Sequence, residues 1–236
     1  MASRDSLEVR KLLAKGVVIQ RSGQDTPVVL KLRYIGTGSV TSVTVTTATN
    51  IVMITSDGGT DTYAFATYAT LGALVNAING DGIFEAKILD GLRSAATASR
   101  LLDGAITAVT DTDNLTTVWH VHADTSTALE YAVCLSPLAE FNAPVGHIVK
   151  LQEIVYSVNM GTAAVDSVQI WRRKGSVESQ IFSALSVDTT ATTINWAGGE
   201  GFISGGVDED LVVIVKDAAT LGDATGNFLQ VSGLLE

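Results

Sequence analysis

Residues 40–89 read VTSVTVTTATNIVMITSDGGTDTYAFATYATLGALVNAINGDGIFEAKIL, and a change of period inside this run decides the fold. Val40, Val43 and Val45 sit among threonines, β-branched residues that fit a pleated, half-buried surface. Ile51-Val52-Met53-Ile54 is a short apolar strand. Asp57-Gly58-Gly59 is a turn of the kind that supplies positive φ. Tyr63 and Phe65 alternate on the next strand. The period then switches. Leu71, Leu74, Val75 and Ile78 recur at helical spacing and make one apolar face. Thr70 starts this helix, and Asn79-Gly80-Asp81-Gly82 ends it with residues that tolerate left-handed dihedrals. Phe84, Ala86 and Ile88 alternate as a return strand. The stretch is predicted as β-β-β-α-β, a small α+β unit.

Upstream, Val17–Gln20 and Val28–Arg33 read as two strands flanking the turn-rich Ser22-Gly23-Gln24-Asp25-Thr26-Pro27. Residues 5–15, DSLEVRKLLAK, fit a short helix or an extended arm. Downstream, 90–115 is irregular, and Val118–Val121 and Leu129–Leu135 are two further strand candidates. Ser136–Gly146, with Pro137 and Pro144, is the expected domain boundary. Beyond it, strands are predicted at 148–158, 165–173, 177–186, 192–196, 201–204, 210–216 and 227–234. Glycine-bearing turns lie between them, the signature of a β-sandwich or jelly roll. The chain is therefore expected to be mainly β. Residues 1–33 form a basic arm and first strands, 34–140 an α+β domain with its helix near 70–79, and 147–236 a β-sandwich domain.

Composition agrees. Only 17% of the 236 residues are charged, and 27 threonines and 22 glycines stand against three prolines, which favours strands over helices. Charge is split unevenly. Arg4, Arg10, Lys11, Lys15, Arg21, Lys31 and Arg33 are seven of fifteen basic residues, while Asp5, Glu8 and Asp25 are three of 25 acidic ones. The first 33 residues thus carry about +4, and the other 203 about −14. Such an acidic body lacks the basic face that nucleic-acid binding needs. The single cysteine, Cys134, excludes an intrachain disulfide. There is no apolar run long enough for a membrane helix and no apolar signal core, so folding in a cytoplasm is expected.

The candidates for chemistry are few. His120, His122 and Asp124 fall at alternate positions and would share one face of a strand, offering three ligands to zinc or another divalent ion. A polar strand edge with incidental histidines is the competing reading. Asp111-Thr112-Asp113-Asn114 alternates oxygen ligands but lacks the glycine and distal glutamate of a calcium loop. Asp208-Glu209-Asp210 reads as a solubilising turn. Arg172-Arg173-Lys174 reads as a solvated basic turn, although an acidic neighbour would suit it. Gly36-Thr37-Gly38 lacks what a phosphate-binding loop requires. Cys134 has no local histidine partner and reads as a buried, inert thiol. Trp171 and Trp196 are expected in the sandwich core or at an interface. No catalytic set and no cofactor emerge.

The Thr/Val-rich strand pair, Gly-Gly turn, Tyr/Phe strand, TLGALVNAIN helix and closing Phe84-x-Ala86-x-Ile88 strand of residues 40–89 resemble a module of tailed-bacteriophage virion structural proteins. The C-terminal half is similar in kind to the small β-sandwiches that end many phage decoration, tail and fibre proteins. The resemblance implies a non-enzymatic assembly protein located in the virion, without cofactor. Its partners would be the major capsid protein or other virion proteins, and further copies of itself. A trimer is plausible from that class alone. In this reading Arg4, Arg10, Lys11, Lys15 and Arg21 anchor the arm on a capsid shell, as in a decoration or cement protein, with no contact to nucleic acid or membrane. Deleting residues 1–33 should then leave the body folded. Two alternatives stay open: a tail, neck or fibre component that binds a receptor, and a metal-dependent enzyme or lectin using His120, His122 and Asp124.

Overall fold

The computed structural model describes residues 18–22, 28–97, 104–107, 118–122, 130–135, 146–157, 165–187, 192–195, 203–216 and 228–235. The chain is mainly β and divides into two compact units, Thr26–Ala128 and a discontinuous one made of Met1–Asp25 with Leu129–Glu236.

The discontinuous unit is a two-sheet sandwich. Its strands are β1 (Val18–Ser22), β9 (Glu130–Leu135), β10 (Val149–Ser157), β11 (Val165–Lys174), β12 (Val177–Val187), β13 (Thr192–Asn195), β14 (Ile203–Ser204), β15 (Asp210–Lys216) and β16 (Phe228–Leu235). One sheet runs β1-β16-β10-β13, with β14 also paired to β10, and the other runs β12-β11-β15-β9. Every pairing is antiparallel. Setting the two-residue β14 aside, the strands in chain order give first–eighth–third–sixth against fifth–fourth–seventh–second. That order is the double Greek key of a jelly roll. Its core interleaves Leu151 and Ile154 of one sheet with Ile170, Leu211, Val213 and Val215 of the other, all fully buried. In β15 every residue from Leu211 to Val215 is buried. Both faces of this strand are covered, which is why its sequence is an unbroken apolar run and not an alternation.

The other unit holds β2 (Val28–Tyr34), β3 (Val40–Thr46), β4 (Asn50–Thr55), β5 (Gly59–Ala64), α1 (Leu71–Asp81), β6 (Phe84–Ile88), β7 (Gly104–Thr107) and β8 (Val118–His122). These form an antiparallel β6-β2-β8 sheet, an antiparallel β5-β4-β3-β7 sheet and the helix. The β-β-β-α-β reading of 40–89 holds element by element. Strand β7 falls in the stretch read as irregular, because Gly104-Ala105-Ile106-Thr107 offers only one large apolar residue.

Helix α1 forms for local reasons. The Thr70 side chain accepts from the Ala73 amide at 3.2 Å, and Gly82 closes the helix at φ 72°. Leu71, Leu74, Val75 and Ile78 are buried, each contributing about 2 kcal/mol of apolar burial. The first amides are satisfied by a crossing segment: Leu71 N–H donates to the Ala95 carbonyl at 2.9 Å and Gly72 N–H to the Arg93 carbonyl at 2.8 Å. A Cβ at Gly72 would stand 3.0 Å from the Arg93 carbonyl oxygen and 3.1 Å from Arg93 Cβ, so the crossing segment would have to give by a few tenths of an ångström. Gly72→Ala, normally favourable in a helix, is expected to destabilise this unit by about 1–2 kcal/mol, read by chemical unfolding. On the far side, Asn79 closes the outer edge of β6. Its amide donates to the Ala86 carbonyl at 3.1 Å and accepts from the Ala86 N–H at 2.6 Å, so this edge cannot take another strand at that point.

Three domain expectations change. The boundary falls at 128/129 and not within 136–146, because β9 pairs along β15, Leu135 opposite Leu211 through Glu130 opposite Lys216. The α+β unit is therefore an insertion between the first and second strands of the jelly roll. Its ends lie side by side, Val28 facing His122 across β2 and β8. Residues 1–33 are also not one piece. Strand β1 pairs with β16 in the jelly roll, and β2 is the central strand of a sheet in the other unit, with Leu30 and Leu32 fully buried. Deleting 1–33 thus removes an edge strand of the jelly roll and the central strand of a sheet in the other unit, and is expected to abolish folding, seen as loss of the far-ultraviolet strand signal. A truncation that tests the arm stops at residue 17.

Candidate functional site

Of the predicted arm residues, Arg4, Arg10, Lys11 and Lys15 lie outside the described residues. Arg21 sits in β1 opposite Val231 of β16, so it belongs to a sheet edge. The last two cations of the basic stretch are in β2, where Arg33 pairs with Glu85 of β6. His120 and His122 do lie on one strand, β8, at register positions opposite Lys31 and Val28, with Val121 between them buried. Asp124 lies outside the described residues, as does Asp111–Asn114. Among the described residues no group of three His, Cys, Asp or Glu is placed to hold a metal ion, and no helix is long and apolar enough to cross a membrane.

A charged cluster joins two segments that looked solvated in sequence. Arg172-Arg173-Lys174 ends β11, and Asp208-Glu209-Asp210 leads into β15. The antiparallel register sets Arg173 opposite Asp210. Arg173 Nε and Nη2 lie 3.0 and 2.8 Å from Asp210 Oδ2, and Nη2 is 3.4 Å from Cys134 Sγ. Arg173 as a residue is only 4% exposed. Burial alone would lower its proton affinity, but Cys134, Asp210 and Glu178 outweigh that, and its pKa is raised. Arg173 therefore remains a buried cation whose stability depends on its partners.

The neighbours are tied in as well. Arg172 Nη2 donates to the Ser204 carbonyl at 2.6 Å, linking the two sheets, and Lys174 Nζ donates to the Val207 carbonyl at 2.9 Å. Asp208, at φ 59°, accepts from Gly146 N at 2.7 Å and His147 N at 3.1 Å. Glu209 accepts from Gly206 N at 2.7 Å. The acidic and basic turns are thus an internal brace at one end of the jelly roll. Trp171, expected in the sandwich core or at an interface, is half-buried and donates to Gln169 Oε1 at 3.0 Å. Trp196 lies outside the described residues.

Gly36-Thr37-Gly38 does present amides to an anion, but the anion is the chain's own. Asp57 Oδ2 accepts from Thr37 N at 2.9 Å and Gly38 N at 2.8 Å, and the Tyr34 hydroxyl accepts from Gly38 N at 2.7 Å. A Cβ at Gly38 would stand 2.4 Å from Ser56 Oγ, so the turn closes on Asp57 only with glycine there. Hydrogen bonding to Tyr34 and to these amides holds the Asp57 carboxyl far below the usual carboxylate range. A depressed folded pKa stabilises above the unfolded value, near 4, and that contribution is lost as pH falls below it. Asp57→Asn is therefore expected to lower the melting temperature at neutral pH, with the gap to wild type closing below about pH 4, measured by thermal unfolding across a pH series.

What these arrangements do chemically is hold segments together. The helix N-terminus is filled by backbone carbonyls, the glycine turn by Asp57, and the charged cluster by mutual pairing. The Tyr63 hydroxyl likewise donates to Asp81 Oδ2 at 2.7 Å, tying β5 to the end of α1. The fold and these clusters define a class: a jelly roll carrying a small α+β unit in its first connection.

No known protein family and no curated protein matches the chain. Among solved structures, similarity is found to the Drosophila NLP core, whose crystal structure was described for pentamer formation and histone binding. The two are 13% identical with a TM-score of 0.25, over 45% of this chain and 97% of that one. Murine APRIL is 11% identical with a TM-score of 0.23, over 50% of this chain and 83% of that one. Likenesses this weak carry no argument about function.

Proposed function

We propose that the chain is a virion structural protein of a tailed bacteriophage, a capsid decoration or cement protein that attaches through its basic N-terminal segment. The observation that carries this reading is the charge split, sharpened by the fold. Of the seven cations in residues 1–33, Arg21, Lys31 and Arg33 are built into strands. Arg4, Arg10, Lys11 and Lys15 precede the first strand, and the body that follows, residues 18–236, carries about −12. Four cations ahead of such a body suit attachment to an acidic or polar shell surface, while like-charged bodies keep their distance in solution. Leu7, Leu12 and Leu13 add apolar area to the same segment. The resemblance of residues 40–89 to phage virion modules supports the same assignment. In this role the internal braces serve rigidity, and burial of the segment on the shell stabilises the assembly by mass action.

The test is incorporation. Particles are assembled in cells expressing either the full chain or a variant with Arg4, Arg10, Lys11 and Lys15 all changed to glutamate, then sedimented. The full chain is expected in the particle fraction and the variant, still folded, in the supernatant. Equal incorporation of the two, or a full chain that never sediments, contradicts the reading.

A further inference from the structure

The strands β3, β4, β5 and β7 of the inserted unit carry a single charged residue, Asp61, and it faces the core. Asp61 lies directly opposite Met53 of β4, so the two side chains share one face of the sheet, and Met53 is fully buried on that face. Tyr63, two residues on and also inward, is buried as well. Asp61 itself is half-buried, and its Oδ2 is buried with no hydrogen-bond donor among the described residues. The neighbouring carboxylates are occupied, Asp57 by the glycine turn and Asp81 by the Tyr63 hydroxyl. Strand β5 is also an end strand: among the described strands it pairs with β4 on one side and with none on the other. Its open side is a template for a further strand. Two other edges of this unit are blunted, β6 by Asn79 and β7 by its length of four residues. Six-residue β5 has neither protection.

We propose that Asp61 guards this edge: its inward-facing charge stops β5 from pairing with β5 of a second copy. Antiparallel pairing of two such edges would run one sheet into the next and gain a ladder of backbone hydrogen bonds. It would also bring both Asp61 carboxylates onto one shared inner face, like charge against like, with less water to solvate them. Thr60, Thr62, Tyr63 and Phe65 are otherwise an uncharged run of strand formers without proline, a composition that pairs readily when no charge interrupts it. The carboxylate lowers the stability of the isolated fold, since an apolar side chain beside Met53 and Tyr63 would leave no oxygen without a donor. In return the edge stays unpaired, even where many copies are held close together. The inference does not depend on a virion role.

Sedimentation velocity and thermal unfolding of the full chain separate a guard from a packing residue. Asp61→Val is expected to melt no lower than the wild type. It is expected to self-associate more tightly by about tenfold or more, at temperatures where circular dichroism shows it folded. Asp61→Lys removes more of the net charge of −10 but keeps a charge at the inward position, so it is expected to associate no more than the wild type. Asp61→Thr, matching the threonines on either side, gives the same reading if Asp61→Val does not fold. A folded, uncharged variant that associates no more than the wild type overturns the proposal. Association of Asp61→Lys equal to that of Asp61→Val also overturns it, by tracing the effect to net charge. So does an Asp61→Val variant that melts lower and associates only on melting, since Asp61 would then be a packing residue.

Discussion

Asp210→Ala will destabilise the jelly roll by about 3 kcal/mol. The loss exceeds that of an ordinary surface ion pair, about 0.2–1 kcal/mol, because Arg173 cannot follow its lost partner into water. Arg173 is 4% exposed, and its guanidinium is held by Asp210 of β15 and Cys134. Removing the carboxylate leaves a buried cation without the acceptor of its Nε and Nη2 hydrogen bonds. Replacing both partners with apolar residues, Arg173→Met with Asp210→Leu, is expected to cost less than the single change, since no uncompensated charge remains. Urea unfolding followed by fluorescence in a Trp119→Phe background isolates the unit that contains Trp171 and Trp196. An Asp210→Ala variant within about 0.5 kcal/mol of its parent would show that the brace is not structural.

Gly233→Val is expected to be comparably severe, about 3 kcal/mol, through backbone collision and not charge. Gly233 lies in β16 between β1 and β10, beside the irregularity between Leu151 and Glu153. A Cβ there would stand 2.5 Å from the Lys150 carbonyl oxygen and 3.3 Å from Leu135 Cδ1. The first is backbone of the paired strand, so relief requires β16 and β10 to separate at the centre of their sheet. Gly233→Ala already meets the backbone atom and should show most of the effect. Wild-type stability in the alanine variant would mean that the bulge accommodates a side chain.

How much of this was legible in sequence follows from how local each signal is. The switch from alternation to helical spacing at Thr70 located α1, and glycine turns located the strands of the second half to within a few residues, because turns and periodicity are local. The discontinuity of the jelly roll was not legible. Val18–Ser22 reaches its partner Gln230–Leu234 across more than two hundred residues, and backbone pairing leaves no local mark on composition. The same holds for the braces. Arg173 and Asp210 are 37 residues apart, so each half looked like a solvated turn, and Thr37 and Asp57 are 20 apart, so the glycine loop showed no anion to hold. The one usable clue was Leu211–Val215. A strand apolar at every position is covered on both faces, a signal for a central strand that the reading of 208–210 as a solubilising turn did not use.

Residues 1–17 carry the functional proposal, and locating the chain in an image reconstruction of the particle tests it most directly. Copies are expected on the outer face of the capsid shell, each showing two β-rich bodies, with the segment that bears Arg4, Arg10, Lys11 and Lys15 in contact with the shell. Density confined to the tail, or a shell contact made by the jelly roll with the N-terminal segment turned to solvent, would contradict it.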